Sequence, residues 1–214
     1  KQMNYKELTE YELVNFYKIY LLDKLADEYD EILYLDFDAI PVTDENFFEF
    51  WDLTKGVVVL KNDDQIRTHK TIQYLKQSTR SPTAKFYNAQ AMLLEKGKSP
   101  TNNVINTGII GISKEHVKQL KYFDNFKETI DLMTHLINDK DSMYPDNVRN
   151  MFRYDNETIF SYKIKMNDVP VQWFDEQWHY FFSQQLYIPR ETKIVHCVCK
   201  DFDTVWRFYD KINF

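Results

Sequence analysis

Two aspartates one residue apart, Asp36 and Asp38, follow the apolar run Ile-Leu-Tyr-Leu at positions 32–35 and precede a proline. Carboxylates with this spacing at the end of a strand lie within about 7 Å of each other, so both can reach one hard cation, or a cation and its bound ligand. The same spacing recurs in this acidic chain at positions 139–141 and 201–203. What distinguishes Asp36 and Asp38 is the buried strand before them. We therefore predict a cation site here, against the alternative of a solvated acidic loop.

A histidine, His196, lies in a second apolar segment, Ile194–Val198, which also has the pattern of a buried strand. A lone histidine in such a strand is normally a core residue. If the two strands are neighbours, however, His196 adds a nitrogen to the two carboxylates, a donor set that suits manganese at least as well as magnesium. The other four histidines have no comparable sequence context. Cys197 and Cys199 could form a zinc site with His196, but no fourth ligand is evident, and they fit a reducing compartment better than a disulfide.

The segments around these residues predict alternating helices and strands. Apolar residues at intervals of three and four predict a helix within residues 10–28 that leads into the Asp36 strand. A short helix capped by Thr43 or Asp44 is expected next, and residues 62–100 read as a surface insertion that could contact the substrate. Later strands are predicted at 57–60, 103–113, 169–174 and 194–198, and later helices at 114–122, at 125–139 and from 155 onward. This order predicts an α/β fold in a single domain, residues 1–214.

Composition excludes some classes of partner. The formal charge of −6, without a basic run, argues against a nucleic-acid surface. No apolar stretch approaches the roughly 18 residues that span a bilayer, so we expect a soluble, cytoplasmic protein. The chain has only four glycines, and two of them, Gly108 and Gly111, fall in one predicted strand, where they indicate close approach of another group to the backbone.

The order of these motifs resembles the GT-A glycosyltransferases, and among them the family 8 enzymes such as glycogenin and the bacterial lipopolysaccharide galactosyltransferases. The resemblance spans roughly residues 10 to 206. The segments that carry it are the first helix, the aspartate pair, Asn106-Thr-Gly108, Asp155-Asn-Glu157, and His196 followed by Lys200 and Trp206.

This resemblance implies a Rossmann-like GT-A domain with a mixed, mostly parallel sheet flanked by helices. It implies transfer of a sugar from a nucleotide-diphosphate sugar, expected to be UDP-linked, to a glycan or other hydroxyl acceptor, with Mn²⁺ or Mg²⁺ as cofactor. The implied roles are as follows: Asp36, Asp38 and His196 as metal ligands; Asn106 and Gly108 as donor-sugar contacts; Lys200 as a diphosphate contact; Asp155, Asn156 and Glu157 as the reaction-centre segment.

The chain departs from the family pattern at several points. The reaction-centre segment has asparagine and glutamate where the family has glutamine and aspartate, Lys18 stands where an arginine is usual, and the segment from His196 to Trp206 lacks the family's glycine and proline. Family members also begin with a nucleotide-binding β-α-β unit, whereas only about ten residues precede the first helix here. We expect either that this part is missing from the sequence or that the nucleotide pocket is built differently.

Several alternatives stay open from the sequence. Asp155 and Glu157 are candidates for the proton acceptor or the charge-stabilising carboxylate, but either could simply cap a helix. Trp173 or Trp178 could stack on an acceptor sugar, or pack in the core. A strand that ends in Asp-x-Asp also begins the haloacid-dehalogenase phosphatases, with Asp36 as nucleophile and magnesium beside it. A nucleotide-sugar-binding relic without turnover is the non-enzymatic alternative.

Overall fold

The computed structural model describes residues 10–61, 82–101, 104–149, 152, 154–183 and 187–212. The strands are β1 Glu31–Leu35, β2 Ala39–Pro41, β3 Val57–Lys61, β4 Ile105–Ser113, β5 Val171–Trp173, β6 Tyr180–Phe182 and β7 Ile194–Cys197. The helices are α1 Glu10–Leu25, α2 Phe47–Phe50, α3 Pro82–Glu95, α4 Lys114–Leu120, α5 Phe126–Asn138, α6 Asp146–Arg149, α7 Asn156–Met166 and α8 Phe202–Ile212, with a 3₁₀ turn at Leu53–Lys55.

The strands form two sheets, one with the order β1-β4-β3-β5 and one with the order β2-β7-β6. The predicted mixed α/β class is confirmed. Parallel pairing does not predominate, however: β4 runs antiparallel to both β1 and β3, and β2 runs antiparallel to β7. Only β3 with β5 and β6 with β7 are parallel among the described strands. The reason is the central position of β4, which opposes both of its neighbours.

The first helix and strand form as predicted, but the strand is less covered than its apolar run indicates. Ile32 is buried, whereas Leu33, Tyr34 and Leu35 are only half-buried. In the described part of the chain β1 pairs with β4 alone, so it lies at the edge of its sheet. An apolar run of this kind therefore also occurs in an edge strand, which pairs with another strand on one side only.

Strand β4 lies between β1 and β3 in the first sheet, and all nine of its residues are buried. Its register against β3 shifts between the pairs Leu60–Asn106 and Val58–Gly111, so the pairing of the two strands is irregular there. Gly111 faces α2, where a Cβ would come within 2.7 Å of Phe47 Cζ. The glycine therefore allows the aromatic ring to pack against the strand.

Helix caps and short strands account for most of the other differences from the sequence predictions. Ser113 caps α4 as predicted, but the cap of α2 is Asn46, not Thr43 or Asp44. The three-residue strands β2 and β6 were not predicted, because runs this short carry no periodic signal. Residues 62–81 of the predicted insertion lie outside the described residues, and residues 82–95 form a helix. Asn103, the first residue of the predicted strand at 103–113, also lies outside the described residues.

No helix in the described ranges has both the length and the apolar character needed to cross a membrane.

Candidate metal centre

The two aspartates lie in a tight turn that carries the chain from the first sheet to the second. The backbone N–H of Ala39, the first residue of β2, donates to the carbonyl of Asp36 at 2.9 Å, so residues 36–39 form a β-turn directly after β1. Phe37 is at its tip and is 82% exposed. The turn places the carboxylates of Asp36 and Asp38 at the junction of the two sheets.

Strand β7 brings His196 to the same junction. His196 is opposite Ala39 in the antiparallel pairing of β2 with β7, and the N–H of Cys197 donates to the carbonyl of Asp38 at 2.7 Å. Asp36, Asp38 and His196 each offer one donor atom, and these atoms all lie within 4.8 Å of one another. Nε2 of His196 is 3.6 Å from Oδ2 of Asp38. The structure thus brings together the three side chains that the sequence suggests as metal ligands.

Gly108 on β4 lies against the ring of His196. A Cβ on Gly108 would come within 2.2 Å of Cε1 and 2.8 Å of Nδ1 of His196, which is closer than real contacts allow. The carbonyl of Gly108 accepts the N–H of Asp36 at 2.7 Å, and its own N–H donates to Oδ1 of Asn106 at 2.9 Å. Gly108 and Asn106 therefore adjoin the aspartates and His196, and the absence of a side chain at position 108 is a steric requirement.

Two lysines neutralise the two carboxylates. Nζ of Lys18, a buried residue of α1, is 3.1 and 3.2 Å from the carboxylate oxygens of Asp36. Nζ of Lys200 pairs with Oδ2 of Asp38 and lies 4.3 Å from the centre of the Phe37 ring. Lys200 has a φ of +61° and follows β7 in a turn closed by its N–H to the carbonyl of Cys197.

Hydrogen bonds and neighbouring charge keep these groups in defined protonation states. Burial raises the pKa of Asp38, but His196 and Lys200 outweigh it and hold the pKa of this carboxyl well below its usual range. The hydroxyl of Tyr34 donates to Oδ1 of Asp36 at 2.8 Å. Burial, followed by this bond, raises the pKa of Tyr34 well above its ordinary value. Near neutral pH, Asp38 is therefore an anion and Tyr34 is a neutral hydrogen-bond donor.

A second histidine, His179, contacts His196, although its sequence context does not indicate a role. Nε2 of His179 lies 2.9 Å from Nδ1 of His196, and His179 is 2% exposed. Burial, together with the electrostatic interaction with His196, lowers the pKa of His179 well below its ordinary value, so His179 is neutral. The sequence gives no signal for this contact, because it depends on the pairing of β6 with β7.

The predicted reaction-centre segment lies at the start of α7 and contacts Thr107, the residue before Gly108 on β4. Oε1 of Glu157 accepts the N–H of Thr107 at 3.0 Å, and the amide of Asn156 donates to the Thr107 hydroxyl at 2.8 Å. Thr107 thus faces α7, whereas the next residue, Gly108, faces His196. These contacts give Asn156 and Glu157 a structural function: they hold β4 in the position where its glycine meets the imidazole.

Asp155 is the N-cap of α7. Its Oδ1 accepts the backbone N–H groups of Glu157 and Thr158 at 2.9 and 3.1 Å, as the capping alternative predicted. Asp155 is half-buried, unlike the buried residues that follow it.

The two tryptophans differ in their surroundings. Trp178 is 4% exposed and packs on Phe47 and Phe50, with ring centroids 5.6 and 5.2 Å away, so its role is core packing. Trp173 is half-buried and lines a cavity of about 350 Å³ between β5 and α7.

The cysteines do not extend the site. Burial and the neighbouring Cys199 raise the pKa of the Cys197 thiol to about 11, so Cys197 is protonated near neutral pH and is a poor metal ligand. Neither cysteine joins the aspartates and His196 in the group that could hold a metal among the described residues.

Of two further contributors to the site, Tyr34 was accessible from sequence in principle and Lys18 was not. Tyr34 stands two residues before Asp36, and alternate residues of a strand share a face. Lys18 stands near the middle of a helix that leads into β1, and the sequence shows it only as a lysine in place of an arginine. Its pairing with Asp36 depends on how α1 packs on the sheet.

The comparisons with known proteins leave the family open. No protein-family model and no curated protein matches the chain. Among solved structures the chain is similar to a crystal structure of an active-site mutant of LgtC, with a TM-score of 0.47 and 14% identity over 89% of this chain. The chain spans 65% of the length of that LgtC chain. A likeness at this level assigns no family, so the function must be inferred from the site.

Proposed function

We propose that this protein is a metal-dependent glycosyltransferase that transfers a sugar from a nucleotide-diphosphate sugar, UDP-linked, to a hydroxyl group of a glycan or another acceptor. The observation that carries the proposal is the group formed by Asp36, Asp38 and His196, whose donor atoms lie within 4.8 Å of one another at the junction of the two sheets. The resemblance of the motif order to GT-A glycosyltransferases supports the same function.

The donor set fits a divalent cation. Two carboxylates and one imidazole are ligands that Mn²⁺ accepts, and Mg²⁺ accepts the carboxylates. Both carboxylates already have a positively charged partner: Lys18 pairs with Asp36, and Lys200 pairs with Asp38. Because Gly108 has no side chain, the His196 ring can occupy the space beside it. We therefore assign Asp36, Asp38 and His196 as the metal ligands, with Mn²⁺ preferred over Mg²⁺ because of the imidazole.

A bound cation would supply Lewis-acid neutralisation of the charge that develops on a departing nucleoside diphosphate. The residues of the chain provide the rest. Lys200 is 46% exposed at its side chain, so its ammonium can leave Asp38 and donate to a phosphate oxygen. Lys18 is 8% exposed at its side chain and stays with Asp36, which keeps this carboxylate oriented.

The donor sugar would lie against β4, where Asn106 and Gly108 adjoin the aspartates and His196. Asp155 is our candidate for the carboxylate at the reaction centre, as a proton acceptor for the incoming hydroxyl or as a stabiliser of positive charge on the sugar ring. Glu157, the other candidate from the sequence, is assigned to holding Thr107 instead, because its carboxylate accepts the backbone N–H of that residue.

A thermal-shift panel of nucleotide sugars with and without Mn²⁺ tests the function. A ligand at a hundred times its dissociation constant adds about 2.7 kcal/mol to the free energy of unfolding. We expect one class of nucleotide sugar to raise the melting temperature only when Mn²⁺ is present, and the same donor to be consumed when an acceptor is supplied. The proposal fails if no donor gives a Mn²⁺-dependent shift. Binding without turnover would instead favour the non-catalytic alternative.

A further inference from the structure

His179 lies behind the imidazole of His196, on the side away from the carboxylates. It precedes β6, which runs parallel to β7 with Phe181 opposite His196. Nε2 of His179 is 2.9 Å from Nδ1 of His196, a hydrogen-bond distance, while Nε2 of His196 is 3.6 Å from Oδ2 of Asp38. One nitrogen of His196 therefore faces His179 and the other faces the candidate metal ligands.

The number of protons on the two rings limits which of them donates. The 2.9 Å separation places one proton between Nε2 of His179 and Nδ1 of His196, and each ring carries one N–H when it is neutral. If His179 donates it, the proton of His196 is on Nε2, toward Asp38, and that nitrogen cannot bind a cation. If His196 donates it, Nε2 of His196 is a free lone pair that can.

The two arrangements also differ at the far nitrogen of His179. Nδ1 of His179 is buried and has no hydrogen-bond partner among the described residues. When His179 donates from Nε2, this Nδ1 is a bare acceptor. When His179 accepts, its Nδ1 carries the hydrogen and becomes a buried donor without a partner, which is the costlier state. The metal-free pair is therefore expected to have His179 as the donor.

We propose that His179 is a positioning residue for the metal: it accepts the Nδ1 hydrogen of His196 when a cation binds, and so presents the Nε2 lone pair of His196 to that cation. The inference rests on the proposed function, since it requires a metal at Asp36, Asp38 and His196. Cation binding then reverses the hydrogen bond between the two histidines, and both rings change tautomer together.

The tautomers can be read from the imidazole nitrogens by ¹⁵N NMR of the full chain, with and without Zn²⁺, which is diamagnetic and binds imidazole nitrogen. We expect His196 to carry its hydrogen on Nε2 in the metal-free protein and on Nδ1 when Zn²⁺ is bound. A His196 ring that keeps its Nε2 hydrogen with Zn²⁺ bound, or that shows the Nδ1 hydrogen in both states, would overturn the inference. This measurement needs no substitution and no turnover.

Substitution at position 179 gives an independent readout, the affinity for Mn²⁺ alone. His179→Phe keeps an aromatic ring but removes the acceptor, and is expected to weaken Mn²⁺ binding by about ten- to a hundredfold, whereas His179→Gln, whose carbonyl can accept the same hydrogen, should restore much of it. His116→Gln changes another buried histidine, which contacts Ser113 at the start of α4, and should leave Mn²⁺ affinity unchanged.

The outcomes separate this inference from the function it rests on. Unchanged Mn²⁺ affinity in His179→Phe, with Mn²⁺ bound by the unsubstituted chain, overturns the role of His179 and leaves the metal site intact. Failure of the unsubstituted chain to bind Mn²⁺ overturns both. If His179→Phe does not fold, the NMR measurement on the unsubstituted chain decides.

Discussion

Gly108 and His196 are in such close contact that no side chain fits between them, since a Cβ on Gly108 would come within 2.2 Å of Cε1 of the imidazole. The two residues come from different sheets. Their contact therefore fixes how the second sheet, which carries His196, approaches β4 and the turn that holds both aspartates.

Gly108→Ala should displace His196 and weaken Mn²⁺ binding by about tenfold or more. Gly111→Ala, three residues along the same strand, is the matched control: its Cβ would meet Phe47 Cζ at 2.7 Å, away from the site. Both substitutions should lower the free energy of unfolding by about 1–3 kcal/mol through overpacking. Mn²⁺ titration should separate them, and equal losses of affinity in both variants would contradict the role given to Gly108.

Lys200→Met should separate metal binding from diphosphate binding. The substitution removes the ammonium that pairs with Asp38, so Mn²⁺ affinity should stay equal or rise. Binding of UDP in the presence of Mn²⁺ should weaken by about tenfold or more, because a charge-assisted contact to phosphate is lost. Calorimetric titration of each ligand measures both effects. Lys55→Met, which alters an exposed lysine paired with Asp52, is the control. Unchanged UDP affinity would remove Lys200 from the diphosphate site.

Asp155→Asn tests the role proposed for Asp155 at the reaction centre without removing the helix cap, because asparagine caps helices about as well as aspartate. We expect a melting temperature close to that of the unsubstituted protein and a loss of transfer rate of about a hundredfold. Glu157→Gln keeps an oxygen to accept the Thr107 N–H, so it should retain most of the transfer rate at a stability cost of about 1 kcal/mol. The reverse pattern, with Glu157→Gln inactive and Asp155→Asn active, would exchange the two assignments.

Acid should weaken the fold partly through Asp38. Its pKa in the folded protein lies below the ordinary value of about 3.9, so the unfolded chain binds the proton more readily. The stabilisation is therefore fully present above about pH 5 and is lost as the pH falls toward the pKa of the folded state. Urea unfolding between about pH 6 and 3 should show the stability difference between the unsubstituted chain and Asp38→Asn shrinking as the pH falls. A difference independent of pH would show that the ion pair with Lys200 is not maintained in solution.

The sequence indicates the parts of this site that lie on regular elements. The apolar runs before Asp36 and around His196 predict their strands, and Gly108 signals a close approach without showing which group approaches. The contacts that cross between elements could not be predicted, because they depend on packing. Lys18 reaches Asp36 through the placement of α1, and His179 reaches His196 through the pairing of β6 with β7.

The sheet illustrates the same limit at the level of the fold. Apolar runs at 32–35 and 57–60 indicate strands but carry no direction, so the antiparallel position of β4 between β1 and β3 could not be read from them. Strand β2 directly follows the β-turn that holds the two aspartates, and it is too short for a periodic pattern. It nevertheless sets the register that places His196 opposite Ala39.

The central claim is that one divalent cation binds between Asp36, Asp38 and His196. Titration of the chain with Mn²⁺, followed by the EPR signal of the free ion, tests it most directly. Asp201→Asn alters an aspartate with the same one-residue spacing to its neighbour Asp203, on an exposed segment, and is the matched control. The account predicts one Mn²⁺ per chain, lost in Asp38→Asn and kept in Asp201→Asn. Absence of a bound ion in the unsubstituted chain, or binding that survives Asp38→Asn unchanged, would contradict it.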